Sequence, residues 1–380
     1  MDYNNNISIE LQALALLSLP QLSIEEVDAT ASLLKKVDFE RLETLITQHR
    51  THPCVYHNIR QHFIKQVPSS LLLSLKNKYI KNMTRNTKQL GICAKLNQLF
   101  QAGNIPIHFF KGLSLSKVLY CDIALRNNND IDVLISKSDL EQANHILNSM
   151  GFYAHEFEAL DDEWRNEYFK VHKDIGYTNQ EGLLIELHLE LSIPIIAEMS
   201  NYQKELQYRD KLFQTKLSID ELFYLCWHGS HTLFHRLKWL VDIKLYSEQL
   251  ENNIDDSIYF SDNSCRIIVC SLYLLATIYQ TPLSNKATAF YKKDWLCRMM
   301  LKSCLQGLDN PAYVNSGSFA IKRHLFEILA LKSAKYKLAM LLCKLRPTIL
   351  DYSSANFLSP RWLFLIYPLR PFLAFKRKYL

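Results

Sequence analysis

In IELQALALLSL, residues 9–19, the apolar positions recur with the spacing of a helix face. Helical spacing continues to about residue 100, with Ser23 and Glu26 set as a capping box and Pro53 and Pro68 as punctuation. The pattern changes at NIPIHFF (104–110), a short β-type run that ends at Lys111-Gly112. LSLSKVLY (113–120) returns to helical spacing, and the largely β-branched run from Asp130 to Ile135 predicts a strand. Ser138 is placed to cap a helix over DLEQANHILNSM (139–150), which Gly151 ends. IGYTNQEGLLIELHLEL (175–191) predicts a hairpin whose loop runs from Asn179 to Gly182. From about residue 203 to 345 the spacing is helical again, with DELFYLCWHGSHTLFHRLKWLVDIKLY (220–246) as its longest periodic block.

This order predicts an α+β chain that is mostly helical. A helical region (1–100) precedes a small mixed-sheet core (101–200); a second helical region (201–350) and a tail (351–380) follow. Glycine (9) and proline (11) are scarce, which suits long helices better than a sheet-rich fold.

The nine cysteines are odd in number and form no C-x-x-C, so reduced thiols in a cytoplasmic protein are expected, not a disulfide framework or a zinc knuckle. MDYNNNISIE lacks the pattern of a secretory leader, and no run of about 18 uncharged apolar residues marks a membrane span. The net charge is +6, but Arg361, Arg370, Lys376, Arg377 and Lys378 all fall after Pro360, where there is no acid. The rest of the chain is nearly neutral. It has no basic stripe with interleaved aromatics, which argues against nucleic acid as a partner.

The candidate chemistry lies in the core. Asp130 and Asp132 stand one residue apart on a strand, so both side chains project to one face. Two carboxylates about 6–7 Å apart repel unless a cation sits between them, and Mg²⁺ suits such oxygen ligands. A bare D-x-D also occurs as a pair of solvated strand-end carboxylates. Lys111-Gly112-Leu113-Ser114 forms a strand-to-helix turn, where a glycine lets backbone N–H groups approach phosphate. In LLIELHLEL, Glu186 and His188 share one face of a strand, with Ile185, Leu187 and Leu189 on the other. Three carboxylates on two strands beside a glycine turn form a layout for two-metal phosphoryl transfer.

The run F-F-K-G-L-S-L-S-K-V-L-Y-x(5)-R-x(3)-D-I-D-V-L-I resembles the DNA polymerase β-type nucleotidyltransferase superfamily, and more closely its bacterial "uncharacterised nucleotidyltransferase" group. The resemblance includes Lys111-Gly112, Tyr120, Arg126, Asp130-Ile131-Asp132, Gly151-Phe152 and Glu186-Leu187-His188. It continues through His228-Gly229, Trp239-Leu240-Val241-Asp242 and Arg370-Pro371. Leu113 stands where the superfamily has Ser or Gly, and Leu189 stands where the group has an aromatic residue.

The resemblance implies transfer of a nucleoside monophosphate from a nucleoside triphosphate to a hydroxyl, with release of pyrophosphate. Asp130, Asp132 and Glu186 would hold Mg²⁺ or Mn²⁺, and Glu186 would help deprotonate the acceptor. Lys111, Gly112, Ser114, Arg126, His188 and His228 would line the nucleotide site, with ATP as the expected donor. The acceptor could be a small molecule, a sugar or a protein side chain. A non-catalytic scaffold on a degenerate nucleotidyltransferase fold is the competing reading; retention of all three carboxylates and the turn argues against it.

Two features fall outside this scheme. His228, His231 and His235 are spaced to share one helix face, which suits either a cleft lining, with His228 and Arg236 or Lys238 near phosphates, or plain helix packing better than zinc, because no cysteine pair accompanies them. The tail SPRWLFLIYPLRPFLAFKRKYL combines aromatics, prolines and basic residues. It reads either as a wrap over the helical region or, through residues 360–380, as a peripheral membrane contact.

Overall fold

The computed structural model describes residues 7–158, 160, 165, 168–170, 172–194, 196–207, 217–250, 263–346, 362, 365, 366 and 368. The protein is mostly helical, with one small mixed sheet of four strands. It divides into two compact units. The first comprises Met1–Leu96, Phe109–Ile131 and Arg209–Lys332; the second comprises Asn97–His108, Asp132–Tyr208 and Ser333–Leu380.

The first unit is helical. Its helix starts follow from local hydrogen bonding. Ser23 Oγ accepts from the Glu26 N–H at 3.2 Å while Glu26 Oε2 accepts from the Ser23 N–H at 2.8 Å, completing the capping box. Asp38 caps the Phe39–His49 helix by accepting from the N–H groups of Glu40 and Arg41. Leu11, Leu14 and Leu17 on the first helix and Leu42, Leu45 and Ile46 on the third are fully buried where the two helices pack. Each such side chain contributes about 2 kcal/mol of burial free energy.

The periodic block 220–246 is two helices, Ile219–His231 and Leu237–Gln249. Leu233 and Phe234 between them have φ of 52° and 47°. The Phe234 ring folds back under Gly229, where an added Cβ would lie 2.1 Å from it. Side-chain spacing could not reveal this break, because the block has no proline and the ring contact is tertiary. His235 therefore lies beyond the helix that carries His228 and His231, and the three histidines do not form one helix stripe.

His49 is wholly buried in the first unit. Its Nε2 lies 2.8 Å from the Leu308 carbonyl, and its Nδ1 accepts from the Leu237 N–H at 3.0 Å. Only the neutral Nε2–H tautomer satisfies both partners. Burial lowers its pKa to about 4. Between the unfolded value near 6.5 and that folded value, the unfolded chain binds the extra proton, so stability falls as pH falls. A loss of about 3 kcal/mol is expected by pH 4 from this residue. Urea unfolding across that range should show it, with a shallower pH slope in His49→Gln; an unchanged slope would assign the effect elsewhere.

The second unit carries most of the sheet. The strands are β1 (His108–Phe109), β2 (Asp130–Leu134), β3 (Asp174–Thr178) and β4 (Leu184–His188), in the order β1-β2-β4-β3. β1 is much shorter than the run 104–110, because Pro106 has no ladder donor and Asn104 has φ of 56°. β3 and β4 form the expected antiparallel hairpin, with Thr178 opposite Leu184 and Asp174 opposite His188. Asn179 Oδ1 accepts from the N–H groups of Glu181 and Leu183, and Gly182 turns the chain with φ of +73°.

Ser138 does not cap the next helix. Lys137–Asp139 is a 3₁₀ turn ahead of Leu140–Ser149, and the Ser138 hydroxyl bonds Ser136 and Asp139 instead. The expectation for residues 351–380 falls almost entirely outside the described residues. Among the described residues, no helix is long and apolar enough to cross a membrane.

Candidate active site

Alternation along β4 sorts its side chains. Ile185 and Leu187 are fully buried in the core of the second unit, while Glu186 and His188 face the other way. Here that face is not open to solvent: His188 is also fully buried, and Glu186 is half-buried. On β2, Asp132 is 6 % exposed.

His188 is the hub. Its Nε2 lies 3.1 Å from Asp132 Oδ1 and 3.5 Å from Glu186 Oε2, while its Nδ1 lies 3.5 Å from Asp174 Oδ2. Ligand atoms of Asp132, Glu186 and His188 all fall within 4.8 Å of one another. Asp130, on the same strand as Asp132, is not one of those three. Asp174 is a residue that the sequence reading missed. Counting outward from the Asn179–Gly182 turn pairs it with His188, so the hairpin register carried the signal.

The donor set fits a divalent cation. Carboxylate oxygens suit Mg²⁺ and Mn²⁺, and the added imidazole is better tolerated by Mn²⁺ than by Mg²⁺. The His188 imidazole faces the Asp132 carboxylate at 3.1 Å, and a buried carboxylate is costly unless paired.

In the first unit, the Lys111-Gly112 turn has unusual backbone geometry. Lys111 takes φ 53° and ψ −138°, and Gly112 takes φ +35° at the start of the Gly112–Leu119 helix. A Cβ on Gly112 would lie 3.6 Å from the Asp130 carbonyl, so the positive φ, not crowding, is the stronger demand for glycine. The Lys111 ammonium sits 5.1 Å from the Phe110 ring and 5.0 Å from the Tyr224 ring. Ser114, two residues into the helix, is buried.

Arg126 serves this turn from beneath. Its Nε donates to Asp242 Oδ1 at 2.9 Å and its Nη2 to Asp242 Oδ2 at 2.8 Å, a bidentate pair. Nη1 donates to the Gly112 carbonyl at 3.3 Å and to Asn128 Oδ1. Burial opposes the charge on Arg126, but Asp242 outweighs it and holds the guanidinium pKa above its ordinary value. Tyr120 adds a 2.8 Å hydrogen bond to Asp242 Oδ1. The guanidinium thus fixes the turn and the approach to β2.

His228 is half-buried; its ring stacks on Tyr224 at 6.2 Å and meets Trp239 edge-on at 5.6 Å. His231 Nδ1 lies 3.2 Å from Glu327 Oε1, and His235 Nδ1 lies 2.8 Å from the Thr232 carbonyl. Among the described residues, the histidines of this region form no cluster with metal-ligand geometry.

No curated protein and no solved structure matches the chain. A family model described as "Uncharacterised nucleotidyltransferase" matches residues 35–283, which include the turn, both aspartates of β2, the Glu186–His188 strand and the Asp242 clamp. The chain belongs to that nucleotidyltransferase family.

Proposed function

We propose that the protein transfers a nucleoside monophosphate from a nucleoside triphosphate to a hydroxyl, releasing pyrophosphate. The observation that carries this reading is the Asp132, Glu186 and His188 group on β2 and β4, in a chain of the nucleotidyltransferase family. Asp130 and Asp132 would share a divalent ion with Glu186. When bound, Mg²⁺ or Mn²⁺ supplies charge neutralisation for the phosphates.

The other steps belong to side chains of the protein. His188 orients the Asp132 carboxylate, and Asp174 lies 3.5 Å from the far nitrogen of the ring. Glu186 is the most exposed of the three grouped residues, which suits it to accept the proton of the acceptor hydroxyl. The oxygen of that hydroxyl forms the new bond to the α-phosphorus as the bond to pyrophosphate breaks. The Lys111-Gly112-Leu113-Ser114 turn would present backbone N–H groups to phosphate, and His228 would line the nucleotide site. ATP is the expected donor. The acceptor is a small molecule, a sugar or a protein side chain. A cytoplasmic location agrees with nine free cysteines.

Calorimetric titration of ATP, GTP, CTP and UTP, with and without Mg²⁺, tests the reading. One nucleotide should bind in a Mg²⁺-dependent manner and lose that dependence in Asp130→Asn/Asp132→Asn. Failure of every nucleotide to bind the folded wild-type protein would favour the scaffold reading.

A further inference from the structure

The first unit contains a second feature that the proposed nucleotidyl-transfer site does not use. Four cationic side chains lie on segments that hydrogen bonds tie to the stretch leading into β2. Arg50 ends the Phe39–His49 helix in a left-handed conformation, φ 56°. Arg85 comes from the long Ser69–Ala102 helix, and Arg236 and Lys238 come from the start of the Leu237–Gln249 helix.

Hydrogen bonds tie these positions together. His49, next to Arg50, accepts from the N–H of Leu237, which lies between Arg236 and Lys238. Lys238 Nζ donates to the Asn127 carbonyl at 3.2 Å, and the Asn127 amide lies 3.3 Å from His52 Nε2, two residues after Arg50. Arg85 Nη2 donates to Asn82 Oδ1 at 3.0 Å, and the Asn82 amide donates to the carbonyls of Ala124 and Arg126. All four cations are half-buried. Among the described residues, no ion pair within 4.0 Å joins any of them to a carboxylate. Arg126, by contrast, is already neutralised by Asp242. The Arg85 Nε is buried without a hydrogen-bond partner.

Gathering like charges with so little compensation is unfavourable. Burial, and then Arg50, lower the Arg236 guanidinium to about 10. Burial, then Arg126, lower the Lys238 ammonium to about 7, against the opposing pull of Asp130 and Asp242. Burial and Arg50 also lower Arg85. Asp130 is the acidic group common to the fields of Arg85, Arg236 and Lys238. Several cations set in a partly desolvated site form a receptor for a multiply charged anion, and guanidinium forks match phosphate oxygens in geometry.

We infer that Arg50, Arg85, Arg236 and Lys238 form a polyphosphate subsite that takes the β- and γ-phosphates of the donor, and later the pyrophosphate product. The inference rests on the proposed nucleotidyl transfer for the identity of the anion, and on the basic cluster for its existence. It assigns the N-terminal helices, through Arg50 and Arg85, a part in substrate binding. The position of Asp130 among these cations puts the first aspartate of D-x-D beside the phosphate chain.

The test uses the full chain, metal-free in EDTA, titrated calorimetrically with inorganic tripolyphosphate. Wild type should bind, with affinity falling as salt rises. Arg50→Gln, Arg85→Gln and Arg236→Gln should each weaken binding about 10-fold or more, while Arg236→Lys should retain part of it. Lys35→Gln, at an exposed position just past the Ile24–Leu34 helix, should have no effect. Thermal melts should show each variant folded, because removing one of several repelling cations relieves repulsion. Wild-type protein that does not bind tripolyphosphate, or folded variants that bind as wild type does, would overturn the inference. So would a single-stranded oligonucleotide that binds more tightly than tripolyphosphate and depends on the same arginines, since that would make the cluster a nucleic-acid surface. Asp132→Asn should bind metal-free tripolyphosphate like wild type. If Asp132→Asn leaves transfer intact while the arginine variants lose tripolyphosphate, the subsite stands and nucleotidyl transfer fails; the opposite pattern removes the subsite alone.

Discussion

Asp132→Asn is expected to cut nucleotidyl transfer by about a thousandfold or more while leaving the protein folded, a barrier increase of about 4 kcal/mol. Asparagine keeps an oxygen at the position that faces His188 Nε2 at 3.1 Å, so the local hydrogen bond can survive. What disappears is the negative charge and a strong cation ligand. The side chain is nearly buried, so water does not readily replace that charge. Two measurements check the effect. Mn²⁺ titration followed by electron paramagnetic resonance should show weakened binding without any need to know the acceptor. Pyrophosphate release should then fall with an unchanged melting temperature. Asp174→Asn should have a milder effect, since Asp174 lies 3.5 Å from His188 Nδ1, on the opposite side of the ring from Asp132. Full activity in Asp132→Asn would remove the assignment of this site.

Asp242→Asn should be the most destabilising single polar change, costing about 3–5 kcal/mol. The substitution leaves the Arg126 guanidinium buried with half of its bidentate partner gone, and Arg126 is only 6 % exposed. Tyr120 loses a charged acceptor at the same time. The melting temperature should drop by roughly 10 °C at about 2–4 °C per kcal/mol. Arg126→Met/Asp242→Leu should recover much of that stability, because replacing both members of a buried pair removes the stranded charge. It should not recover nucleotide binding, since Nη1 of Arg126 also holds the Gly112 carbonyl and Asn128. Urea unfolding of the three proteins decides the matter. A cost below about 1 kcal/mol for Asp242→Asn would mean that the pair is solvated in solution.

The sequence alone determined those features whose physics is local. Period-two alternation put Glu186 and His188 on one side of β4, and the D-x-D spacing put Asp130 and Asp132 on β2. The Ser23–Glu26 box and the Asn179–Gly182 turn formed as read, because their hydrogen bonds span only a few residues. Only the tertiary structure decided the rest. Arg126 meets Asp242 across 116 positions, and composition cannot say which of many acids a buried arginine will find. The helix break after His231 depends on the Phe234 ring lying under Gly229, a contact that leaves no periodic trace. Arg50, Arg85, Arg236 and Lys238 come from three separate helical segments in a chain whose overall charge is nearly balanced outside its tail. Their convergence is an effect of packing. Sequence can announce charge, but only the fold can concentrate it.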